Sequence, residues 1–232
     1  MYEYLLGDLI GLGVLLCLFL AVPRLRRMMW WGALTAVALH ACIFVFWSFF
    51  ARVLPLRADF VPVYWDPPVL FDLGRTLGIS IEDLLFLFVM GGLCTVAYEL
   101  LTRHLPRMRK VAHRHWDVAA VLGIAFVILT ALPINPIYSW IGASTAAAAY
   151  LVARRPDLLG HSLRSGALFL VFYVAFFWGI LLVFPWFVDY WSMENLSGIV
   201  LAGIPFEEYL WALSFGLLWG PLYEYVRHAR VR

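Results

Sequence analysis

Charged side chains are scarce in this sequence. Asp, Glu, Lys and Arg make up 14% of its 232 residues, where a soluble domain carries about 25%, and 64% of the residues are hydrophobic. That balance excludes a water-soluble globular chain and leaves an integral membrane protein. Lysine is nearly missing: Lys110 is the single one, and it lies in a basic stretch between apolar runs. No apolar run therefore offers the amine that a Schiff base with a retinal-like aldehyde needs. The three cysteines, Cys17, Cys42 and Cys94, stand apart within apolar runs. They give neither a disulfide framework nor metal spacing, and read as small packing residues. No G-x-G-x-x-G turn cradles a dinucleotide, and no aspartate cluster is spaced to hold Mg²⁺ on a diphosphate. The expectation is a chain with no cofactor, no metal and no nucleic-acid partner.

Long apolar runs are what the sequence does have. A helix needs roughly 20 apolar residues to cross the hydrocarbon core. Seven stretches can be drawn, at about 4–22, 28–52, 80–101, 117–133, 136–153, 166–187 and 205–226. The fourth and fifth are separated only by Leu132–Pro136, "LPINP", which reads as a tight turn. No long polar segment remains for a separate soluble domain, so residues 1–232 form one membrane domain. The first span carries Glu3 and Asp8 and no preceding basic segment, which argues for a span and against a signal peptide.

The basic residues are placed unevenly. Arg24, Arg26 and Arg27 follow the first span; Arg103, Arg107, Arg109, Lys110 and Arg114 follow the third. Arg154, Arg155 and Arg164 lie between the fifth and sixth, and Arg227, Arg230 and Arg232 follow the seventh. Against these fourteen, the other side holds only Arg52, Arg57 and Arg75. Cytoplasmic loops are the basic ones. A multi-pass protein of the cytoplasmic (inner) membrane is implied, with its amino terminus outside and its carboxyl terminus in the cytoplasm.

The third and seventh spans resemble each other. "GISIEDLLFLFVMGGLCTVAYELL" from Gly78 and "GIPFEEYLWALSFGLLWGPLYEYV" from Gly203 match at eight of 24 positions with a constant offset of 125 residues. Glu82 aligns with Glu207, Gly91 with Gly216, Tyr98 with Tyr223 and Glu99 with Glu224. Trp65 and Trp191 lie in the loops before the two copies. A single odd span between them gives both copies the same orientation. The predicted fold class is all-α integral membrane with seven transmembrane helices in a 3+1+3 parallel internal repeat. The first repeat covers 1–101, the linking helix 117–133 and the second repeat 136–232. A site is expected between the third and seventh spans.

Each copy opens on paired acids, Glu82 with Asp83 and Glu207 with Glu208. A carboxylate deep in a membrane costs about 2.5–3.5 kcal/mol on insertion scales. Acids in a first helical turn also favour the positive end of the helix dipole, and Pro205 suits a helix start. That bland account explains one acid per helix better than two. The chemical alternative is an acid and a base sharing one desolvated site. Glu99 and Glu224 fall 17 residues beyond Glu82 and Glu207, about 25 Å along a helix. With Tyr98 and Tyr223 they are accessory candidates for gating or a proton route, or simple partners of Arg103 and Arg227 at the interface.

Aromatic residues make up 17% of the chain. Most must face lipid or the interface, but some could stabilise a carbocation through their π faces. Phe86, Phe206, Tyr209, Trp211 and Trp219 adjoin the motif, and the first four are the candidates for substrate binding. His40 lies mid-span, either as a site residue or as a hydrogen-bonding partner of another helix. His113 and His115 are a weak metal signal and read as solvated loop residues. Asp66 and Asp72, in "YWDPPVLFDLGR", either close over a site or face water. Asn195-Leu196-Ser197 is a formal glycosylation sequon.

"GISIEDLLF" and "GIPFEEYLW" resemble the Pro-x-Glu-Glu/Asp motif of the membrane-embedded, heptahelical lycopene cyclase family, in which the motif occurs once in each of two homologous halves. The resemblance covers nearly the whole chain. Ser80 replaces the motif proline in the first copy, and the Tyr-Glu endings are not part of the motif. Membership implies catalytic roles for Glu82, Asp83, Glu207 and Glu208 in a redox-neutral, protonation-initiated cyclisation of an isoprenoid end group. It implies a lycopene β-cyclase-like intramolecular lyase or isomerase that takes a hydrophobic isoprenoid or carotenoid from the bilayer, among membrane lipids, and it leaves homo-oligomerisation open. Two alternatives stand beside it: another protonation-initiated terpene or meroterpenoid cyclase, and a non-enzymatic seven-helix binding or transport protein.

Overall fold

The structure is a computed structural model that describes residues 2–53, 61, 63–102 and 116–227. Arg57, the basic residues between Arg103 and Arg114, His113, His115, Arg230 and Arg232 lie outside the described residues. Among the described residues the chain is nearly all helix: α1 (Glu3–Ala21), α2 (Arg26–Val53), α3 (Leu73–Leu77), α4 (Ile81–Thr102), α5 (Asp117–Thr130), α6 (Pro136–Arg154), α7 (Leu159–Val183) and α8 (Phe206–Arg227). The two-residue strands β1 (Val200–Leu201) and β2 (Ile204–Pro205) form a hairpin before α8. Neither this hairpin nor α3 has a hydrophobic period long enough to read from sequence.

Among the described residues, four stretches are long and apolar enough to cross a membrane: Glu3–Ala21, Pro23–Val45, Ile81–Thr102 and Pro156–Val183. The chain is a membrane protein by that measure. α5, at 14 residues, spans only about 21 Å. α8 is diluted by Glu207, Glu208, Glu224 and Arg227, and α6 by its hydroxyl residues and Arg154. The expected sixth span at 166–187 is displaced: α7 runs from 159 to 183. Its polar first turns, with His161 and Arg164, score poorly for hydropathy yet are helical, and Pro185 stops the helix early.

The bundle is held by two close helix crossings. α2 lies along α4, and α7 along α8, as the two most extensive helix contacts. Small residues set both. A Cβ on Gly91 would come within 2.7 Å of the Gly32 carbonyl oxygen, and a Cβ on Gly216 within 2.8 Å of the Gly166 Cα. α1 and α6 pack on α4 and α8 respectively, α4 touches α8, and α5 lies against α6. Leucines, isoleucines and valines of α1, α5 and α7 point outward, as lipid contact requires. α8 lies deepest, and most of its residues are buried.

Pro221 stands inside α8 and cannot donate to the Leu217 carbonyl. The Ser162 hydroxyl of α7 donates to that oxygen instead, at 2.6 Å. In a membrane, where no water replaces a lost backbone bond, such a substitute is needed.

At the acid-motif end the loops knit together. The segments before α4 and α8 pair antiparallel at Trp65 and Trp191, with Asp66 N–H donating to the Tyr190 carbonyl at 2.9 Å and Ser192 N–H to the Tyr64 carbonyl at 3.0 Å. Asn135, in the turn after α5, donates to the Val63 and Asn195 carbonyls at 3.3 and 3.2 Å. The Asn195 side-chain amide also donates to Val63, at 3.1 Å, so the sequon asparagine holds the loop layer.

The Gly216 crossing should not tolerate a side chain. Gly216→Leu is expected to cost about 1–3 kcal/mol or more through overpacking. Gly123→Ala, with nothing within 4 Å of the new methyl, should leave stability unchanged or slightly raised. Thermal unfolding of both variants in detergent checks this.

Candidate active site

Both motif helices start from the same backbone device. Gly78 and Gly203 adopt left-handed φ of +77° and +83°, a conformation that favours glycine, and swing the chain into the helix. In the first copy Ser80 takes over from the motif proline by forming a capping box. Its hydroxyl accepts from Asp83 N–H at 3.0 Å, while the Asp83 carboxylate accepts from Ser80 N–H at 2.7 Å and the Ser80 hydroxyl at 2.9 Å. In the second copy Pro205 closes the hairpin and α8 begins at Phe206.

The first acid of each pair faces the loops. Glu82 is fully buried and accepts from Leu70 N–H at 2.8 Å. Glu207, buried, accepts from Ser197 N–H at 2.8 Å and from the Tyr138 hydroxyl at 2.5 Å. In both residues Oε1 takes these bonds, and Oε2 finds no hydrogen-bond partner among the described residues.

The second acids enter an aromatic cluster. Asp83 also accepts from the Tyr4 hydroxyl at 3.0 Å. Glu208 accepts from the hydroxyls of Tyr64 and Tyr173 and from Trp191 Nε1 at 2.8 Å. Burial, and then the charge of Glu208, hold the Tyr64 hydroxyl well above its usual pKa, so it remains protonated and able to donate. Phe86 lies between the two acid-bonded rings, 6.3 Å from Tyr4 and 6.3 Å from Tyr173. Trp211 stacks obliquely on both Phe86 and Tyr173 at 5.6 and 5.2 Å. Trp65 contacts Tyr4 at 5.5 Å and Trp191 at 5.0 Å. An unbroken set of rings thus joins Asp83 to Glu208.

Of the four aromatic candidates, Phe86 and Trp211 belong to this cluster. Tyr209 does not: its hydroxyl donates to the Leu201 carbonyl at 2.8 Å, in the hairpin. Phe206 is half-buried at the head of α8, its N–H bonded to the Ile199 carbonyl at 2.9 Å. Trp219 lies deeper, its ring stacked on Phe215 at 4.9 Å. His40 is satisfied within its own helix, Nδ1 lying 2.8 Å from the Ala36 carbonyl, and it stacks on Trp140 at 4.6 Å. Asp66 pairs with Arg75 at the loop surface, at 2.5 Å. The Asp72 carbonyl accepts from the Thr76 hydroxyl at 3.0 Å. A small cleft lined by Trp65, Asp66, Val69, Asp72 and Arg75 reaches Asp83.

The family model described as lycopene cyclase matches residues 2–101 and 135–226, well over half of the chain. The chain belongs to the lycopene cyclase family. The match makes it a carotenoid cyclase at family level. Each matched stretch holds three long helices, and α5 falls between them. No curated protein and no solved structure matches.

Several residues around the cyclase motif acids carry no sequence signal of their own. Tyr4, Tyr64 and Tyr173 come from α1, a loop and α7, and only the fold brings their hydroxyls to the acids. Asp8, one turn beyond Tyr4, is buried beside the Glu82–Asp83 pair, and its Oδ2 lacks a hydrogen-bond partner among the described residues. Its sequence signal was a charge inside an apolar run. Ser80→Ala removes the reciprocal cap on Asp83 and is expected to destabilise the protein by about 0.5–2 kcal/mol, read as a lowered melting temperature.

Proposed function

We propose that the protein closes a ring at the end of a lycopene-type carotenoid within the membrane, as an intramolecular lyase or isomerase, by proton gain and proton loss without net redox change. The observation that carries the proposal is the continuous aromatic cluster between the half-buried Asp83 and the buried Glu208, acids in the first turns of α4 and α8.

The chemistry needs three things. A neutral carboxyl protonates C2 of the terminal double bond and leaves a cation at C1. The C5=C6 bond attacks C1, the cation passes to C5, and loss of the C6 proton gives the β-ring. Donor, base and a dry cradle for the cation are required. Glu207 and Glu208 share the donor and base roles between them: Glu207 keeps one oxygen free of any described donor, and Glu208 is held by three donors within the ring cluster. Glu82 and Asp83 mirror or complete them. The π faces of Phe86, Tyr173 and Trp211 supply cation stabilisation of about 0.5–2 kcal/mol apiece. A polyene would reach them from the bilayer, displacing side chains such as Trp211 that fill the space between the helices.

The proposed topology has seven spans in a 3+1+3 arrangement, with 1–101 and 136–232 as the repeats and 117–133, centred on α5, as the linker. Its support lies in corresponding contacts: α2 on α4 as α7 on α8, and α1 on α4 as α6 on α8. The distribution of basic residues favours an outer amino terminus and a cytoplasmic carboxyl terminus, which sets the acid motifs toward the outside.

Expression in a lycopene-accumulating bacterium should turn the cells from red to orange-yellow, with β-ended product found by chromatography. Turnover in D₂O should leave one deuteron per ring closed. Glu208→Gln and Asp83→Asn should each lower product by about 100-fold or more while the protein remains folded. A folded wild-type chain that yields no cyclised carotenoid would overturn the proposal.

A further inference from the structure

At the opposite end of α4 and α8 from the motif acids, three unspent ligands meet. Glu99 of α4, His161 of α7 and Glu224 of α8 are 2%, 3% and 0% exposed. One ligand atom from each lies within 4.8 Å of the other two. Glu99 Oε1 and His161 Nε2 are 3.6 Å apart, beyond hydrogen-bonding distance. Glu99 Oε2, both oxygens of Glu224 and both ring nitrogens of His161 find no hydrogen-bond partner among the described residues.

Among the described residues, no arginine hydrogen-bonds these atoms. Arg103 lies outside the described residues, and Arg227 sets its guanidinium over the Tyr223 ring at 5.9 Å. Arg155 turns to Asp157 at 2.7 and 2.6 Å, and Arg164 to the Tyr98 hydroxyl at 3.4 Å. Buried carboxyls and an imidazole left without donors or acceptors are costly in a membrane interior. A divalent cation would satisfy all three at once, and two carboxylates would neutralise its charge.

We infer that Glu99, His161 and Glu224 form a binding site for a divalent transition-metal ion that ties α4 to α7 and α8. The mixed nitrogen and oxygen donors suit Zn²⁺ or Mn²⁺ over Mg²⁺ and Ca²⁺, which prefer oxygen alone. Two ligands of a tetrahedral ion with bonds of about 2.0–2.1 Å lie about 3.3 Å apart. The Glu99–His161 separation already approaches that, and rotamer-scale adjustment brings Glu224 in. The Tyr98 ring packs on the imidazole, with centroids 4.3 Å apart, and fixes its orientation. The site is remote from the motif acids, about 25 Å along α4, so it serves to clamp the helix ends rather than to act on substrate.

The full chain, purified in detergent and stripped with a chelator, would be dialysed against Zn²⁺ alone or Mn²⁺ alone and its metal content measured. About one ion per chain is expected, with a rise of several degrees in melting temperature on loading. His161→Ala and Glu224→Gln should each abolish both effects while keeping the helical circular dichroism spectrum. If either variant fails to fold, the wild type loaded with Co²⁺ decides, since a low-symmetry site of nitrogen and oxygen ligands gives visible d–d bands. No ion retained above trace by the wild type, or full retention by folded His161→Ala, would overturn the inference.

Discussion

A carboxylate surrounded by hydrocarbon has to find donors inside the protein, and the arrangement of this molecule follows from how it meets that demand. Glu82 and Glu207 draw backbone N–H groups from the loops, Leu70 and Ser197, into contact with the helix starts. Asp83 and Glu208 draw in hydroxyls and an indole from α1, α7 and both loops. Each bond recruits a segment that would otherwise lie free at the membrane surface. The Trp65–Trp191 pairing and the Asn135 bridge then join the recruited loops to each other. The acids thereby come to organise the layer that covers them.

That layer is useful only if α4 and α8 are rigidly spaced, and the small-residue crossings supply this. In lipid, apolar side chains gain little by leaving the solvent, so helix association depends on close packing and interhelical hydrogen bonds. Gly91 against Gly32, and Gly216 against Gly166, bring backbones nearly into contact. Ser162 adds a hydrogen bond where Pro221 has broken the ladder of α8. The helix that carries Glu207 and Glu208 is therefore also the most enclosed.

Much of this was legible in the sequence, for a physical reason. Burying an acid is expensive, so the paired acids stood out against apolar runs, and both pairs do fall in the first turns of long helices, α4 and α8. Helix positions followed hydropathy well except at α7, whose polar first turns hid His161 from the span and so from the Glu99–Glu224 pair. Tyr4, Tyr64 and Tyr173 could not be chosen among 11 tyrosines, since nothing local separates a lipid-interface tyrosine from one bonded to a buried acid. Tyr209 shows the converse: adjacency to the motif suggested a lining residue, but one step along a helix turns a side chain by about 100°, toward the hairpin.

The two copies of the acid motif are unequal in detail, and the inequality bears on which acid does what in the proposed reaction. Asp83 spends two of its accepted bonds on Ser80, within its own helix start, and takes one from Tyr4. It is as much a helix cap as a member of the ring cluster. Glu208 takes no local bond of that kind; Tyr64, Tyr173 and Trp191, all from outside α8, supply its three donors. An acid held by distant side chains owes its position to the assembled fold and not to helix initiation. Pro205 makes this arrangement workable, because the hairpin it closes starts α8 without asking the carboxylate to cap it. In the proposed reaction the second copy thus carries the acid best placed to serve chemistry alone, with the first contributing rings and a mirrored pair.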